Sequence, residues 1–259
     1  MKGNSNQRGR GVAGRPTLLP WQESAAQASF VWAGCPCPAH QQGGRAAGLR
    51  IFAALGVALA SLLLVSCQST GANYGPGAGS FDTVIVDAGH GAHDQGARAC
   101  AGSPEKSLAL DTARRLADSL RRSGFHVIET RTSDVFIPLG GRVAVANRTG
   151  RAVFVSIHYN WARRTGAHGI EIYYHSLRSK RLAANILRET TRAYRTDNRG
   201  IKNRGFYVLR NNNRPAVLCE LGFVSNPSDN AAVQNPAVRQ RLAERVAAGI
   251  VAEQAGRQP

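Results

Sequence analysis

Residues 81–128, FDTVIVDAGHGAHDQGARACAGSPEKSLALDTARRLADSLRRSGFHVI, decide the fold. The run TVIV at 83–86 is short, apolar and β-branched, as expected of a strand buried on both faces. Over 105–123, Leu108, Ala109, Leu116 and Leu120 recur at helical spacing. Ser103 is a candidate cap there, with Pro104 near the first turn and Gly124 at the exit. A second strand is predicted at 125–128. Working outward, helices are predicted over 139–147 and 182–194, and strands over 152–157, 170–174, 206–209 and 216–219. The last helix is predicted over 236–254, with Val238, Leu242, Val246 and Ile250 on one stripe. Strands alternating with helices predict an α/β fold, a three-layer sandwich with a mixed, largely parallel sheet of about six strands flanked by helices.

Upstream of this domain, assigned to 81–259, the texture differs. Residues 1–44 are rich in Gly, Gln, Ala, Pro and Arg without a period of either kind, and are expected to be disordered or a leader from an upstream start codon. In 45–67, Arg45 and Arg50 precede the apolar run IFAALGVALASLLLV, the length of a signal-peptide core and too short for a comfortable membrane span. It ends in Leu64-Val65-Ser66-Cys67, which resembles a bacterial lipobox, so Cys67 is the expected lipidation site and first mature residue. Gln68 at the next position suits outer-membrane sorting in a cell with two membranes. Residues 68–80, rich in Ser, Gly and Ala, read as a flexible tether.

The chain has 259 residues and a formal net charge of +17. From Phe81 onward there are 27 Lys+Arg against 15 Asp+Glu, so the excess belongs to the folded part as well. Such a charge predicts attraction to a polyanion: nucleic acid, an acidic lipid surface or an acidic cell-wall polymer. No helix-turn-helix, zinc-finger or stacked-aromatic motif accompanies it, and with an export signal no nucleic-acid partner is expected. Cys35 and Cys37 lack the spacing and second ligand pair of a zinc knuckle.

Four polar residues fall at the ends of predicted elements. His90 follows the first strand in DAGHG, Glu105 opens the first helix, His158 ends the strand VFVSIH, and Glu220 ends VLCE. In such sheets active sites gather at the carboxyl ends of strands. Two imidazoles and one carboxylate form a catalytic zinc set with a position left for water, and a second carboxylate is then needed to carry the proton. Glu220 is the candidate, because a carboxylate buried at the end of an apolar strand must be paired, metal-bound or protonated. Asp87 and Ser156 are candidates to orient ligands, although Asp87 equally suits a turn cap. His93 reads as a solvated loop residue. Arg210 and Asn211 to Asn213 suit either a substrate contact or an Asn-rich turn.

The segments VIVDAGHGAHDQGA (84–97), PEKSLAL (104–110), TRTSDVFIPLGGRVAVAN (130–147), FVSIHYN (154–160), GIEIYY (169–174) and RPAVLCELGFVSNPSD (214–229) together resemble the zinc-dependent N-acetylmuramoyl-L-alanine amidases of bacterial cell-wall turnover. The resemblance covers essentially all of 81–253. It implies Zn²⁺ held by His90, Glu105 and His158, catalysis by Glu220, and hydrolysis of the amide between N-acetylmuramic acid and L-alanine in peptidoglycan. Tyr159 stands where the family often has Ala. Only 61 residues separate His158 from Glu220, which leaves no place for the long inhibitory helix of some division amidases. A monomer anchored by lipid on the periplasmic face of a membrane, acting on peptidoglycan, is the expectation. A related metallopeptidase is the nearest enzymatic rival, since it needs the same zinc and base.

Overall fold

A computed structural model describes residues 77–257 and Pro259. Its strands are β1 (Thr83–Ala88), β2 (His126–Glu129), β3 (Ala152–Asn160), β4 (Ile170–Tyr174), β5 (Asn198–Asn203) and β6 (Ala216–Phe223). Its helices are α1 (Glu105–Arg122), α2 (Leu139–Arg148), α3 (Lys180–Thr190), α4 (Tyr207–Arg210), α5 (Pro227–Gln234) and α6 (Pro236–Gln254). The strands form one sheet in the order β2-β1-β3-β6-β4-β5. The first four of that order are mutually parallel, whereas β4 runs antiparallel to β6 and carries β5 parallel beside it.

Period-two alternation in the strands separates two cores. On one face Val84, Val86, Val155, Ile157, Cys219 and Ile172 meet Leu116 and Leu120 of α1, Leu182 and Ile186 of α3, and Leu242, Val246 and Ile250 of α6. On the other, Ile85, Phe154 and Leu218 are covered by Val143 and Ala146 of α2 and by Val208 and Leu209 of α4. The result is the expected three-layer sandwich with a mixed sheet. The two helices on the second face are short, and they pack against the lower half of their strands. Towards the carboxyl ends of β3 and β6 the side chains of that face become polar, and the site forms there.

Three local expectations are corrected. The run 206–209 is not a strand: Phe206 caps the single-turn helix α4, which buries Val208 and Leu209. A four-residue apolar run cannot be told from a buried helical turn by periodicity. In its place the edge strand is β5, NRGIKN, whose composition carries no alternation. Ser103 does not cap α1; the N-cap is Pro104, with no side-chain hydrogen bond. The segment 1–67, with Cys67, and most of the tether lie outside the described residues. Of the tether's last four residues, Gly77 and Ala78 are buried, and Ala78 N donates to Glu253 Oε1 at 2.6 Å. Among the described residues no helix is long and apolar enough to cross a membrane.

A buried ion pair ties the second face together. Arg142 Nη1 lies 2.7 Å from Asp87 Oδ1, and both side chains are nearly inaccessible. Asp87 also accepts from Thr130 Oγ1 and Ser156 Oγ, each at 2.6 Å. Burial by itself raises Asp87, but the Arg142 charge and the Ser156, Thr130 and Arg142 hydrogen bonds outweigh it and hold the carboxyl below its usual range. A depressed carboxylate contributes stability that is fully present above its unfolded pKa, about 4, and is lost as pH falls through the lower folded value. Arg142→Met, which strands the Asp87 charge, is expected to cost about 3–5 kcal/mol at neutral pH. Chemical denaturation at pH 7 and pH 3 checks this, and the deficit should narrow at the lower pH.

Candidate functional site

The loop after β1 presents the first histidine in an unusual backbone conformation. His90 has φ +61° and Ala92 φ +49°, both in the left-handed region that side chains other than glycine seldom occupy. Two buried arginines hold the chain there. Arg131 donates from Nε to Ala88 O (3.0 Å) and from Nη2 to Gly89 O (2.6 Å), and Arg142 donates from Nη2 to His90 O (2.7 Å). Further along, Asp134 accepts from Ala92 N, and Lys106 Nζ reaches both Ala92 O and Asp134. Asp87 and Ser156 therefore do not touch the candidate ligands. Asp87 anchors Arg142, and Arg142 fixes the loop that carries His90.

Glu105, in the first turn of α1, is the hub. Its Oε1 lies 3.0 Å from His90 Nε2 and 3.0 Å from His158 Nδ1, and accepts from Tyr159 N at 3.0 Å. Its Oε2 accepts from Ala97 N at 2.6 Å. Burial raises this carboxyl, but hydrogen bonds from His158 and His90 and their charges outweigh it and carry it far below the usual range. Burial lowers the His90 imidazole, yet Asp94 and Glu105 more than compensate and raise it to about 10.

One donor atom from each of His90, Glu105 and His158 lies within 4.8 Å of the others. Two glycines make this approach possible. A Cβ on Gly89 would sit 2.3 Å from His158 Cε1, and one on Gly96 would sit 2.6 Å from both Glu105 Oε2 and His90 Cδ2. The set of two imidazoles and one carboxylate, with the backbone pared away around it, fits a divalent ion such as zinc.

His90 has a support that the sequence reading passed over. Its Nδ1 lies 2.9 Å from Asp94 Oδ2, and Asp94 is held in turn by Gly96 N. Such a carboxylate fixes the tautomer of a ligating imidazole and leaves the other nitrogen free to bind. Asp94→Asn is expected to weaken metal affinity roughly 10–100-fold. Competition against a chelator of known affinity measures this directly.

Glu220 stands beside the triad through strand register. On the sheet His158 pairs with Glu220 across β3 and β6, and Glu220 pairs with Glu171 across β6 and β4. All three side chains rise from the polar half of the second face. Glu220 Oε2 is buried and, among the described residues, has no hydrogen-bond partner. Burial first, then the Glu105 and Glu171 carboxylates, push Glu220 well above the usual carboxylate range. Glu171 is buried and heavily satisfied, accepting from Asn160 Nδ2 (2.7 Å), Arg199 Nε (2.9 Å), Lys202 and the Tyr173 hydroxyl.

The remaining expectations resolve simply. His93 is exposed, with its ring 4.4 Å from that of Phe136. Tyr159 points away from the site into the main core, its hydroxyl 2.7 Å from Thr112 Oγ1. Asn211 to Asn213 lie in the turn before β6: Asn212 Oδ1 accepts from Arg214 N within that turn, and Asn213 N donates to Asn147 Oδ1 of α2.

Fold and site together define an α/β protein with three donors able to hold a divalent ion at the carboxyl end of its central strands. A family profile described as N-acetylmuramoyl-L-alanine amidase matches residues 84–252, and the chain belongs to that family. It is 33% identical over 174 residues to the N-acetylmuramoyl-L-alanine amidase LytC of Bacillus subtilis, covering 66% of this chain and 35% of LytC. It is 34% identical over 170 residues to the probable cell wall amidase LytH of Staphylococcus epidermidis, covering 65% of this chain and 57% of LytH. Among solved structures, the catalytic domain of the amidase CwlV from Bacillus (Paenibacillus) polymyxa var. colistinus aligns with a TM-score of 0.64 at 35% identity. The alignment covers 66% of this chain and 97% of that one. The amidase AmiC2 of Nostoc punctiforme aligns with a TM-score of 0.64 at 34% identity, covering 67% and 97%. The chain thus spans the catalytic domain of CwlV and just over half of LytH.

Proposed function

We propose that this chain is a zinc-dependent hydrolase of the amide between N-acetylmuramic acid and L-alanine in peptidoglycan, with the ion held by His90, Glu105 and His158 and proton transfer carried by Glu220. The observation that carries the reading is the register pairing of His158 with Glu220, which sets an unpartnered carboxylate oxygen beside the three-donor cluster. A zinc ion bound there supplies Lewis acidity toward a water and the scissile carbonyl.

The chain's own groups do the rest. Glu220 Oε2 accepts a proton from the attacking water and delivers it to the departing nitrogen of L-alanine. Burial and the neighbouring Glu105 and Glu171 raise its proton affinity above that of an ordinary carboxylate, and a general acid–base group must both take and return a proton. Glu105 fixes the two imidazoles relative to one another, and Asp94 fixes the tautomer of His90. Arg131 and Arg142 keep the ligand loop from relaxing out of its left-handed turn.

Family membership and the cell-wall amidase relatives support an enzyme acting outside the cytoplasm. The signal-like run over 45–67 supports a lipid anchor at Cys67 for a monomeric enzyme on the periplasmic face of a membrane, the outer membrane where there are two. The mass of the mature amino terminus tests that anchor. Mass analysis of fragments released from purified sacculi tests the reaction. Stem peptides beginning with a free L-alanine amine, together with intact glycan, are the expected products. Cuts within the peptide would instead indicate a metallopeptidase.

A further inference from the structure

Basic residues crowd one flank of the site. Positions 198–214 contain Arg199, Lys202, Arg204, Arg210 and Arg214 and no acidic residue. This stretch forms β5, α4 and the turn into β6, starting two strands from Glu220 in the sheet order. Arg199 and Lys202 have a local duty, since both pair with Glu171. One carboxylate is thus met by two cations before any substrate arrives.

Arg204 and Arg210 have no such partner. Both are exposed. Arg204 Nη1 donates to its neighbour's carbonyl, Asn203 O, at 3.0 Å, and Arg210 Nη1 donates to Gly205 O at 3.0 Å while its guanidinium lies 5.7 Å from the Tyr207 ring centre. Among the described residues no carboxylate pairs with either. Arg204 is nonetheless tied to the site. Its backbone N donates to Tyr174 O, and the neighbouring Tyr173 hydroxyl donates to Glu171, the register partner of Glu220.

The opposite flank is chemically different. Beside the His90 loop stand His93 and Phe136 in ring contact, with Val135 and Leu139 exposed next to them. This rim is apolar and suits uncharged sugar rings. The scissile bond has the same asymmetry, with neutral sugars on the acyl side and a carboxylate-bearing peptide on the amine side. Adjacent strands are about 4.8 Å apart, so β5 lies about 10 Å from β6. Arg204 directly follows β5; because Asn203 pairs with Tyr174 and Tyr174 with Val217, it is also offset along the strands from Glu220 by about 10 Å or more. The long arginine side chain and an extended peptide, advancing about 3.5 Å per residue, must bridge that gap together.

We propose that Arg204, backed by Arg210, forms the subsite for the free α-carboxylate of the residue that follows L-alanine in the stem peptide, so that the peptide leaves over β4 and β5 while the glycan lies on the His93–Phe136 rim. This rests on the amidase reading. The test uses two disaccharide–tripeptides that differ only at the α-carboxyl of the second residue, free in one and carboxamide in the other. Zinc-loaded wild-type protein should favour the free acid in kcat/KM by roughly ten- to a hundredfold, the range of a charge-assisted hydrogen bond.

Arg204→Gln should erase that preference by raising KM for the acid while leaving kcat and the amide's constants unchanged. Arg204→Lys should restore part of it, and Arg210→Gln should weaken it less. An Arg204→Gln enzyme that keeps the wild-type preference, or a wild type that shows none, overturns the subsite. A zinc-loaded wild type that cuts neither compound while sacculi are also left intact defeats the amidase reading itself.

Discussion

Glu220→Ala is expected to lower turnover roughly 10²–10⁴-fold, the span assigned to a positioned acid–base group, while bound zinc stays at the wild-type level. Glu220 contributes no atom to the three-donor cluster, so the ion should remain. The same variant should be as stable as wild type or more so. The wild-type carboxylate buries an oxygen with no partner, in a place where burial and two neighbouring carboxylates disfavour its charge. Removing such a group is expected to relieve that cost. About 1 kcal/mol of relief would appear as a rise of roughly 2–4 °C in Tm for a domain of this size. Loss of activity accompanied by unfolding would instead mark Glu220 as a structural residue.

His90→Ala should behave differently, losing zinc and activity together while the metal-free fold survives. Glu105 would still accept from His158 Nδ1, Tyr159 N and Ala97 N, so no buried charge is stranded. Asp94 would keep its bond from Gly96 N. The metal set, however, falls from three donors to two. Zinc content by mass spectrometry, alongside circular dichroism of the metal-free protein, checks both halves. A His90→Ala protein that retained stoichiometric zinc would remove that imidazole from the ligand set.

The contrast between the two variants follows from where the residues stand, and much of that placement was legible in the sequence. The strand–loop–helix of 81–123, the strand to His158 and the helix Pro236–Gln254 follow directly from hydrophobic period. The four candidate residues stood out by position: His90 follows the first strand, Glu105 opens the first helix, and His158 and Glu220 end apolar strands. Less legible were the elements whose residues do not advertise their partners. β5 has one large apolar residue, Ile201, and lies at the sheet edge, so no alternation marks it. α4 is too short to show a helical period. α5 did carry a local signal, because Asn226 caps Ser228 N and Asp229 N and Pro227 occupies the first turn.

The supports of the site were hidden for another reason. Asp94 is four residues from His90, and nothing in a loop's composition shows which carboxylate will turn back onto an imidazole. Arg131 and Arg142 read as surface cations by type. In the fold they are buried and spend their donors on the carbonyls of Ala88, Gly89 and His90. Arg131, whose hydrogen bonds go to main-chain carbonyls, leaves no charge pattern to find, and Arg142 meets its one carboxylate, Asp87, 55 positions away in the chain.

The most direct test of the account is anomalous diffraction at the zinc edge from crystals of the zinc-loaded protein. A single peak is expected about 2 Å from one donor atom each of His90, Glu105 and His158, with Glu220 near the peak but outside bonding distance. A peak elsewhere, or one that takes Glu220 into the coordination sphere in place of any of the three, would contradict it.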